Sequence, residues 1–123
     1  SLPVASGVPE GPGKEVEAAV LAWAAAWADK NMSAYLAAYG KEFETPNKQS
    51  REAWEQDRHL RITGKNKISI KLIGLSITVN GNSAIAKFQQ DYKADTLAVL
   101  SRKTLEMVKS GDRWLIVKES SGI

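Results

Sequence analysis

Several side chains in this sequence are of types that act in ligand binding or catalysis, and helical spacing brings some of them together. Trp54, Arg58 and Arg61 follow one another at intervals of four and three residues, so they share one face of a predicted helix. A guanidinium there could hold a carboxylate at the mouth of a pocket through paired hydrogen bonds. The alternative, which we favour from the sequence, is a surface ion pair between Asp57 and Arg61 beside a core tryptophan.

A second group of polar side chains lies on a predicted strand, Ala84 to Lys93. Alternation places Gln90 and Tyr92 on the same inward face as the apolar residues that precede them. A buried amide or phenol must be satisfied by protein, water or ligand, and the sequence favours a structural role over ligand contact. Asp91 falls on the opposite face, which argues against a catalytic role for it.

Histidine and cysteine chemistry is restricted in this chain. His59 is the only histidine, and it lies one position off the apolar stripe of its helix, which favours a solvated surface residue. The chain has no cysteine, which excludes disulfides, thiolate nucleophiles and Cys-ligated zinc. We therefore predict no catalytic residues, no metal and no cofactor.

The most unusual segment is a run of eleven apolar residues, Ala18 to Ala28, with Trp23 and Trp27 four residues apart. A membrane-spanning helix needs about 20 apolar residues, so the run predicts a core helix and no transmembrane segment. Two indoles at helical spacing are usually core residues, and the alternative is that one of them lines a cavity wall.

Length and charge set the broad class. A chain of 123 residues with 43% hydrophobic and 25% charged residues is typical of one soluble globular domain. The 17 basic residues are interspersed with 14 acidic ones, and the local excess near Arg58 to Lys67 is explained by a helix C-terminus. We predict no nucleic-acid partner. A chain that starts at Ser1 without Met is expected to be processed or cut from a longer protein.

These residues must be positioned by elements that the sequence also predicts. Residues 1–13, rich in proline and glycine, predict a flexible linker or terminus, and residues 14–123 form the single domain. Three helices follow: Lys14 to Asp29 or Lys30, a short one with Asn31 as N-cap and Gly40 as stop, and one from Ser50 to about Ile62. A turn through Thr45, Pro46 and Asn47 precedes the third helix.

The second half of the chain changes to a period of two. Apolar residues alternate from Ile68 to Val79 but change phase at Gly74, which predicts a β-bulge. Three more strands are predicted, at Ala84 to Lys93, Leu97 to Lys109 and Arg113 to Glu119, with Asn80-Gly81-Asn82 and Ser110-Gly111-Asp112 as hairpin turns. Together these features predict an α+β fold, in which three N-terminal helices pack on a strongly curved, mainly antiparallel sheet of four or more strands. Such a cone-like half barrel encloses a pocket at its wide end.

Five segments of this chain resemble the nuclear transport factor 2-like superfamily. They are the two-tryptophan helix, the Tyr35 to Tyr39 helix, and the segments Ser50 to Trp54, Phe88 to Tyr92, and Trp114 to Val117. The segment from Ser101 to Leu105 through Trp114 is similar, more narrowly, to a cell-wall-associated subgroup at the C-terminal ends of bacterial envelope proteins. The resemblance implies a cone-shaped barrel, frequent homodimers, a pocket used for binding or catalysis, and a periplasmic or envelope-associated location.

The sequence departs from the enzymes of that superfamily, such as ketosteroid isomerase, which place carboxylates with a hydroxyl or imidazole inside the cone. We therefore expect a non-catalytic domain that binds a small molecule or peptide. The alternatives are a small isomerase, cyclase or dehydratase, and a structural dimerisation module. Because both faces of the last strand look apolar, we also predict a homodimer through the outer sheet face. The candidate ligand-binding residues are Trp23, Trp27, Tyr39, Trp54, Arg58, Gln90 and Tyr92.

Overall fold

The computed structural model describes residues 11–121, which form three α-helices followed by four β-strands. The helices are α1 (Pro12–Ala28), α2 (Met32–Ala37) and α3 (Arg51–Thr63), with a short 3-10 turn at Pro46–Lys48 ahead of α3. The strands are β1 (Ile68–Asn80), β2 (Ser83–Ala94), β3 (Leu97–Ser110) and β4 (Arg113–Ser121). The linker predicted for residues 1–13 lies outside the described residues except for Gly11, Pro12 and Gly13, and the last two already belong to α1.

Both predicted helix N-caps are confirmed. The Asn31 side chain accepts a hydrogen bond from the Ala34 amide at 3.2 Å, and the Ser50 hydroxyl accepts one from the Ala53 amide at 3.0 Å. Each cap satisfies an amide that has no partner inside its helix, which typically contributes about 1 kcal/mol.

The second helix is shorter than the sequence predicts, because it ends at Ala37 and not at Gly40. After the helix, the Ile116 amide donates to the Ala38 carbonyl at 2.9 Å, and the Gly40 amide donates to the Ile116 carbonyl at 2.8 Å. These bonds tie the chain to the edge of β4. Tyr39 is thereby held in a parallel bridge beside Ile116 and not on the last turn of a helix.

The four strands form one antiparallel sheet in the order β1-β2-β3-β4. The predicted bulge is confirmed, since the β1–β2 register shifts between Ile73 and Ser76 and Gly74 adopts a φ of 65°. A second bulge was not predicted: Glu106 pairs with Lys118, whereas the next residue, Met107, pairs with Ile116. β4 therefore carries one extra residue at that point, and the side chains beyond it change faces.

The helices cover one face of the curved, unclosed sheet, so the predicted α+β architecture is confirmed. Val16, Val20, Trp23 and Trp27 of α1 are all buried on one stripe, as the helical spacing predicts. Opposite them lie the inward-facing residues of the strands, among them Ala86, Phe88, Leu105 and Ile116. Aromatic rings dominate this core, with the Trp23 and Trp27 centroids 5.5 Å apart and those of Tyr39 and Trp54 4.7 Å apart.

The outer face of β4 is less open than its sequence suggests. Leu115 and Val117 are half-buried, and a side chain at Gly40 would begin only 3.5 Å from each of them. The segment after α2 therefore approaches part of the apolar face. Exposed apolar side chains of the outer sheet face lie elsewhere, at Ile73, Ile85 and Leu100. The homodimer stays a prediction.

Candidate functional site

A cleft of about 590 Å³ opens between the C-terminal half of α3 and the inner face of the sheet. Four buried side chains form its floor: Trp27, Ile62, Gln90 and Lys103. Half-buried or exposed side chains form its walls and rim: Arg58, Leu60, Arg61, Lys65, Tyr92, Leu97 and Val99, with Gly64 at the end of α3. The cleft thus combines an aromatic and amide floor, an apolar rim and several cationic groups.

The loop that carries Lys65 is fixed from two sides. The Lys30 ammonium donates to the Lys65 carbonyl at 2.8 Å, and the Asp95 carboxylate accepts from the amides of Asn66 and Lys67 at 3.2 Å. These contacts connect the end of α1 and the β2–β3 turn to the same loop. This edge of the cleft is therefore formed before any ligand arrives.

Beneath the floor lies a buried polar network centred on Glu119. Its carboxylate accepts hydrogen bonds from the Lys103 ammonium at 2.5 Å and from the Tyr39 hydroxyl at 2.9 Å, and Arg58 lies 3.6 Å from it. The Trp23 indole donates to the Tyr39 hydroxyl at 2.9 Å. The network therefore joins all three helices to β3 and β4, since Tyr35 of α2 also lies within 3.2 Å of the Tyr39 hydroxyl.

Glu119 is held in its ionised form. Burial alone would raise the pKa of its carboxyl, but the charges of Lys103 and Arg58, with hydrogen bonds from Lys103 and Tyr39, outweigh burial and lower that pKa below 4.5. A carboxylate with a lowered pKa is a weak base and does not donate a proton at neutral pH. It also does not line the cleft described above.

The two tyrosines of the network are neutral at physiological pH. Burial raises the pKa of Tyr35 to about 12, and it raises the pKa of Tyr39 well above 10, with the nearby Glu119 charge acting in the same direction. Neither phenol is therefore prepared to ionise. They act here as fixed hydrogen-bonding groups inside the core.

The charges around the floor do not cancel. Two cations, Lys103 and Arg58, face one carboxylate, Glu119. Within residues 11–121 the Arg58 guanidinium donates no hydrogen bond, because its 3.6 Å separation from Glu119 is longer than one. Its side chain is 20% exposed and lines the cleft. The cleft therefore presents guanidinium donors that the described residues leave without an acceptor.

Two more cations lie on the rim of the cleft, and one of them is paired with a carboxylate. Arg61 lies 3.1 Å from Asp57, which confirms the predicted surface ion pair, and both side chains are largely exposed. Lys65, just after α3, adds a further positive charge to the lining of the cleft. The summed potential at the mouth favours an anionic group.

Two buried polar atoms have no hydrogen-bond partner within the described part of the chain: Gln90 Oε1 and Trp54 Nε1. Gln90 lies on the cleft floor, whereas Trp54 lies deeper, against Tyr39 and Phe43. Unsatisfied buried groups are rare in folded proteins, so each requires an explanation.

The structure divides the seven candidate residues into two groups. Trp27, Arg58, Gln90 and Tyr92 line the cleft together, and the ring centroids of Trp27 and Tyr92 lie 5.4 Å apart. Trp23, Tyr39 and Trp54 do not line it and belong to the buried network and core below. His59 is exposed on α3, and Asp91 faces the side of the sheet opposite the floor, 4.0 Å from Lys93.

Two central residues, Lys103 and Glu119, were not among the candidates. Lys103 shares the inward phase of Leu105 and Met107, so strand alternation could have identified it. Glu119 is brought inward by the bulge in β4, which places it opposite Leu105. Simple alternation from Trp114 and Ile116 would have put it on the outer face.

Within residues 11–121, no cluster of three or more His, Asp or Glu side chains has metal-binding geometry. No helix in the range is both long enough and apolar enough to cross a membrane.

The fold is similar to several solved structures. Bd1075 of Bdellovibrio bacteriovorus matches with a TM-score of 0.81 and 22% identity, over 89% of this chain and 40% of Bd1075. A variant of the helical cell shape determining protein Pgp2 of Campylobacter jejuni matches with a TM-score of 0.76 and 20% identity, over 85% of this chain and 39% of Pgp2. The chain therefore spans about two fifths of these two proteins.

Similarity extends to smaller proteins of the same fold. An NTF2-like protein of unknown function from Pseudomonas putida has a TM-score of 0.79 and 15% identity, over 94% of this chain and 89% of that one. Identities this low establish the fold alone. No curated protein matches the sequence.

The family assignment comes from the sequence. The model of the Cds6 C-terminal NTF2-like domain matches residues 15–120, which is nearly all of the described chain. This match and the shared fold confirm the nuclear transport factor 2-like (NTF2-like) superfamily resemblance. The chain belongs to the family of Cds6 C-terminal NTF2-like domains.

Proposed function

We propose that this chain is a non-catalytic accessory domain that binds a small carboxylate-bearing ligand in the cleft between α3 and the sheet. The observation that carries the proposal is the uncancelled positive charge at the floor, where Arg58 and Lys103 face the single carboxylate of Glu119. Arg58 reaches the cleft with guanidinium donors that no described residue accepts from.

The rest of the cleft suits the remainder of such a ligand. Guanidinium and carboxylate match in geometry and form two parallel hydrogen bonds, each stronger than a neutral one. Trp27 and Tyr92 offer aromatic surface next to this group, and Leu97 and Val99 extend the apolar surface to the rim. A ligand with an anionic head and a compact apolar or aromatic body would contact both kinds of surface.

The same geometry disfavours an enzyme of the isomerase, cyclase or dehydratase type. Such chemistry needs a carboxylate or imidazole that exchanges a proton with a substrate in the pocket. Glu119 is instead hydrogen-bonded to Lys103 and Tyr39, with a lowered pKa, and it lies below the floor. The exposed His59 is not among the cleft residues.

A purely structural dimerisation module is also disfavoured. A module of that kind needs no cavity, because its side chains would fill the cone to the density of a protein interior. The 590 Å³ cleft lies within the size range of ligand sites.

We further propose that the parent protein is bacterial and works in the periplasm or at the cell envelope. The support is the fold shared with Bd1075 and with a protein that determines helical cell shape. Both are more than twice as long as the matched region, which fits an accessory domain. Fractionation of cells that express the full-length protein tests this: recovery in the periplasmic or envelope fraction is expected, and exclusive recovery in the cytosol would contradict it.

Ligand binding is tested by titrating the domain with 3-phenylpropanoate, a carboxylate with an aromatic body, and measuring the dissociation constant by NMR. We expect binding in the millimolar range for a probe of this size. Arg58→Gln should weaken it about tenfold or more, because charge-assisted hydrogen bonds are lost. Arg58→Lys keeps the charge but lacks the planar guanidinium, so its affinity should lie between those of wild type and Arg58→Gln.

Arg102→Gln is the matched control, since it removes the same charge from an exposed position on the other face of the sheet. Thermal unfolding of each variant confirms that the fold is kept. Equal loss of affinity in Arg58→Gln and Arg102→Gln would show a general charge effect, and would overturn the proposal.

A further inference from the structure

The side-chain amide oxygen of Gln90 is an unsatisfied atom at the floor of the cleft. Gln90 is 5% exposed, and its Oε1 has no hydrogen-bond partner within residues 11–121. Gln90 lies on β2, opposite Leu72 of β1 and Ser101 of β3, and its Oε1 accepts no hydrogen bond from Ser101. An apolar residue in this position would avoid the cost of burying an unpaired amide.

The position of Gln90 separates it from the other unsatisfied group. Trp54 Nε1 is also without a partner, but Trp54 is enclosed by Tyr39 and Phe43, with ring centroids at 4.7 Å. Gln90, in contrast, lines the cleft together with Trp27 and Tyr92. Of these two groups, Gln90 is the one beside the cleft.

We propose that Gln90 determines ligand selectivity, by hydrogen-bonding a group of the ligand that both donates and accepts, next to the carboxylate bound by Arg58. This inference rests on the proposed carboxylate-binding function. The complementary groups are a hydroxyl, as in a 2-hydroxy acid, and an amide, as in an N-acylated amino acid.

The chemistry of the side chain defines this class. A primary amide has a carbonyl acceptor and two N–H donors on adjacent atoms. A hydroxyl or a secondary amide can donate to the carbonyl oxygen or accept from the N–H groups. A simple alkyl chain can do neither, and it leaves the carbonyl oxygen without a partner. Sites built around a buried polar group reject analogues that lack its partner, because the group then stays unsatisfied.

Three probes with the same aromatic ring and carboxylate test the selectivity: 3-phenylpropanoate, 3-phenyllactate and N-acetylphenylalanine. The first lacks a complementary group, the second has a hydroxyl and the third an amide. We expect the wild-type domain to bind at least one of the last two about tenfold more tightly than 3-phenylpropanoate. The tighter of the two identifies which group the site prefers.

The variant that tests the residue is Gln90→Met, which keeps the side-chain length without the amide. It should reduce the preference for the tighter-binding probe over 3-phenylpropanoate to less than about twofold. Gln89→Met is the matched control, because Gln89 is the neighbouring residue on the other face of the same strand. The control should keep the full preference.

A second readout needs no ligand. Gln90→Met should raise the melting temperature of the ligand-free domain, by about 4 °C for each kcal/mol of desolvation cost removed. A lowered melting temperature would show that Gln90 makes structural hydrogen bonds, and would overturn the inference.

The binding results separate this inference from the proposed function. Equal wild-type affinity for all three probes, with continued dependence on Arg58, would overturn the role of Gln90 and leave carboxylate binding supported. Absence of binding to any probe by the wild-type domain would overturn both.

Discussion

Replacing Lys103 with methionine removes one partner of the buried ion pair and leaves Glu119 in place. The two side chains are 8% and 9% exposed, and their charged atoms lie 2.5 Å apart. Breaking a buried pair typically costs about 3–5 kcal/mol, because the remaining charge loses its compensation. Arg58 at 3.6 Å and the Tyr39 hydroxyl at 2.9 Å still stabilise the carboxylate, so we place the loss at the low end, about 3 kcal/mol.

Urea unfolding measures this loss, with the fluorescence of the buried tryptophans as the signal. A loss of this size corresponds to a melting temperature about 10–15 °C lower for a domain of this length. Methionine keeps most of the apolar stem of lysine, so little of the effect should come from lost packing.

A double-mutant cycle isolates the pair. Glu119→Gln alone and the double variant Lys103→Met, Glu119→Gln complete the cycle, and we expect an interaction energy of about 1–3 kcal/mol. Strictly additive losses, or a loss below about 1 kcal/mol for Lys103→Met, would refute the buried, charge-paired description of the network.

Two further outcomes follow from the structure, and a third tests the homodimer predicted from the sequence. The folded-state pKa of Glu119 is lowered, so its contribution to stability is present above the unfolded-state pKa and is lost as the pH falls through the folded-state pKa. In urea unfolding between pH 7 and 3, the free energy of unfolding of Glu119→Gln should therefore depend less on pH than that of wild type. Identical pH dependence of the two proteins would contradict this. Gly74→Ala should lower the free energy of unfolding by about 1–2 kcal/mol, because Gly74 has a φ of 65°, with open space around the added methyl group. Gly74→Asn should lower it less, since asparagine tolerates a positive φ better than alanine. Equal losses in the two variants would indicate a steric clash instead. Light scattering coupled to size exclusion should give about twice the mass of one chain, and Leu100→Lys on the outer face should lower it; a monomer at high concentration would contradict the homodimer.

Much of the fold was predictable because it depends on local rules. Asn31 and Ser50 are strong N-cap residues, and Gly74 marks the bulge because the apolar phase changes there. Helical and strand periods gave the buried faces of α1 and β2, including the inward position of Gln90. Each of these features is specified by a few neighbouring residues.

The candidate site was only partly predictable, because its centre depends on distant pairings. The hydrogen bond between Tyr39 and Glu119 joins residues 80 positions apart. Glu119 faces inward only because β4 has a bulge at Val117, just before it. The bulge could not be predicted, since no glycine or proline stands at that position. Tyr39 was expected on a ligand surface, yet the bridge to Ile116 places it in the core.

The most direct test of the central claim is to map where a carboxylate binds. Titration of the isotope-labelled domain with 3-phenylpropanoate, followed by backbone amide chemical shifts, locates the contact residue by residue. Carboxylate binding in the cleft predicts that the largest changes cluster at Arg58, Gln90, Tyr92 and Val99. In Arg58→Gln the same changes should need at least about tenfold more ligand. Changes centred on the outer sheet face near Lys87 and Arg102, or no saturable changes at all, would contradict it.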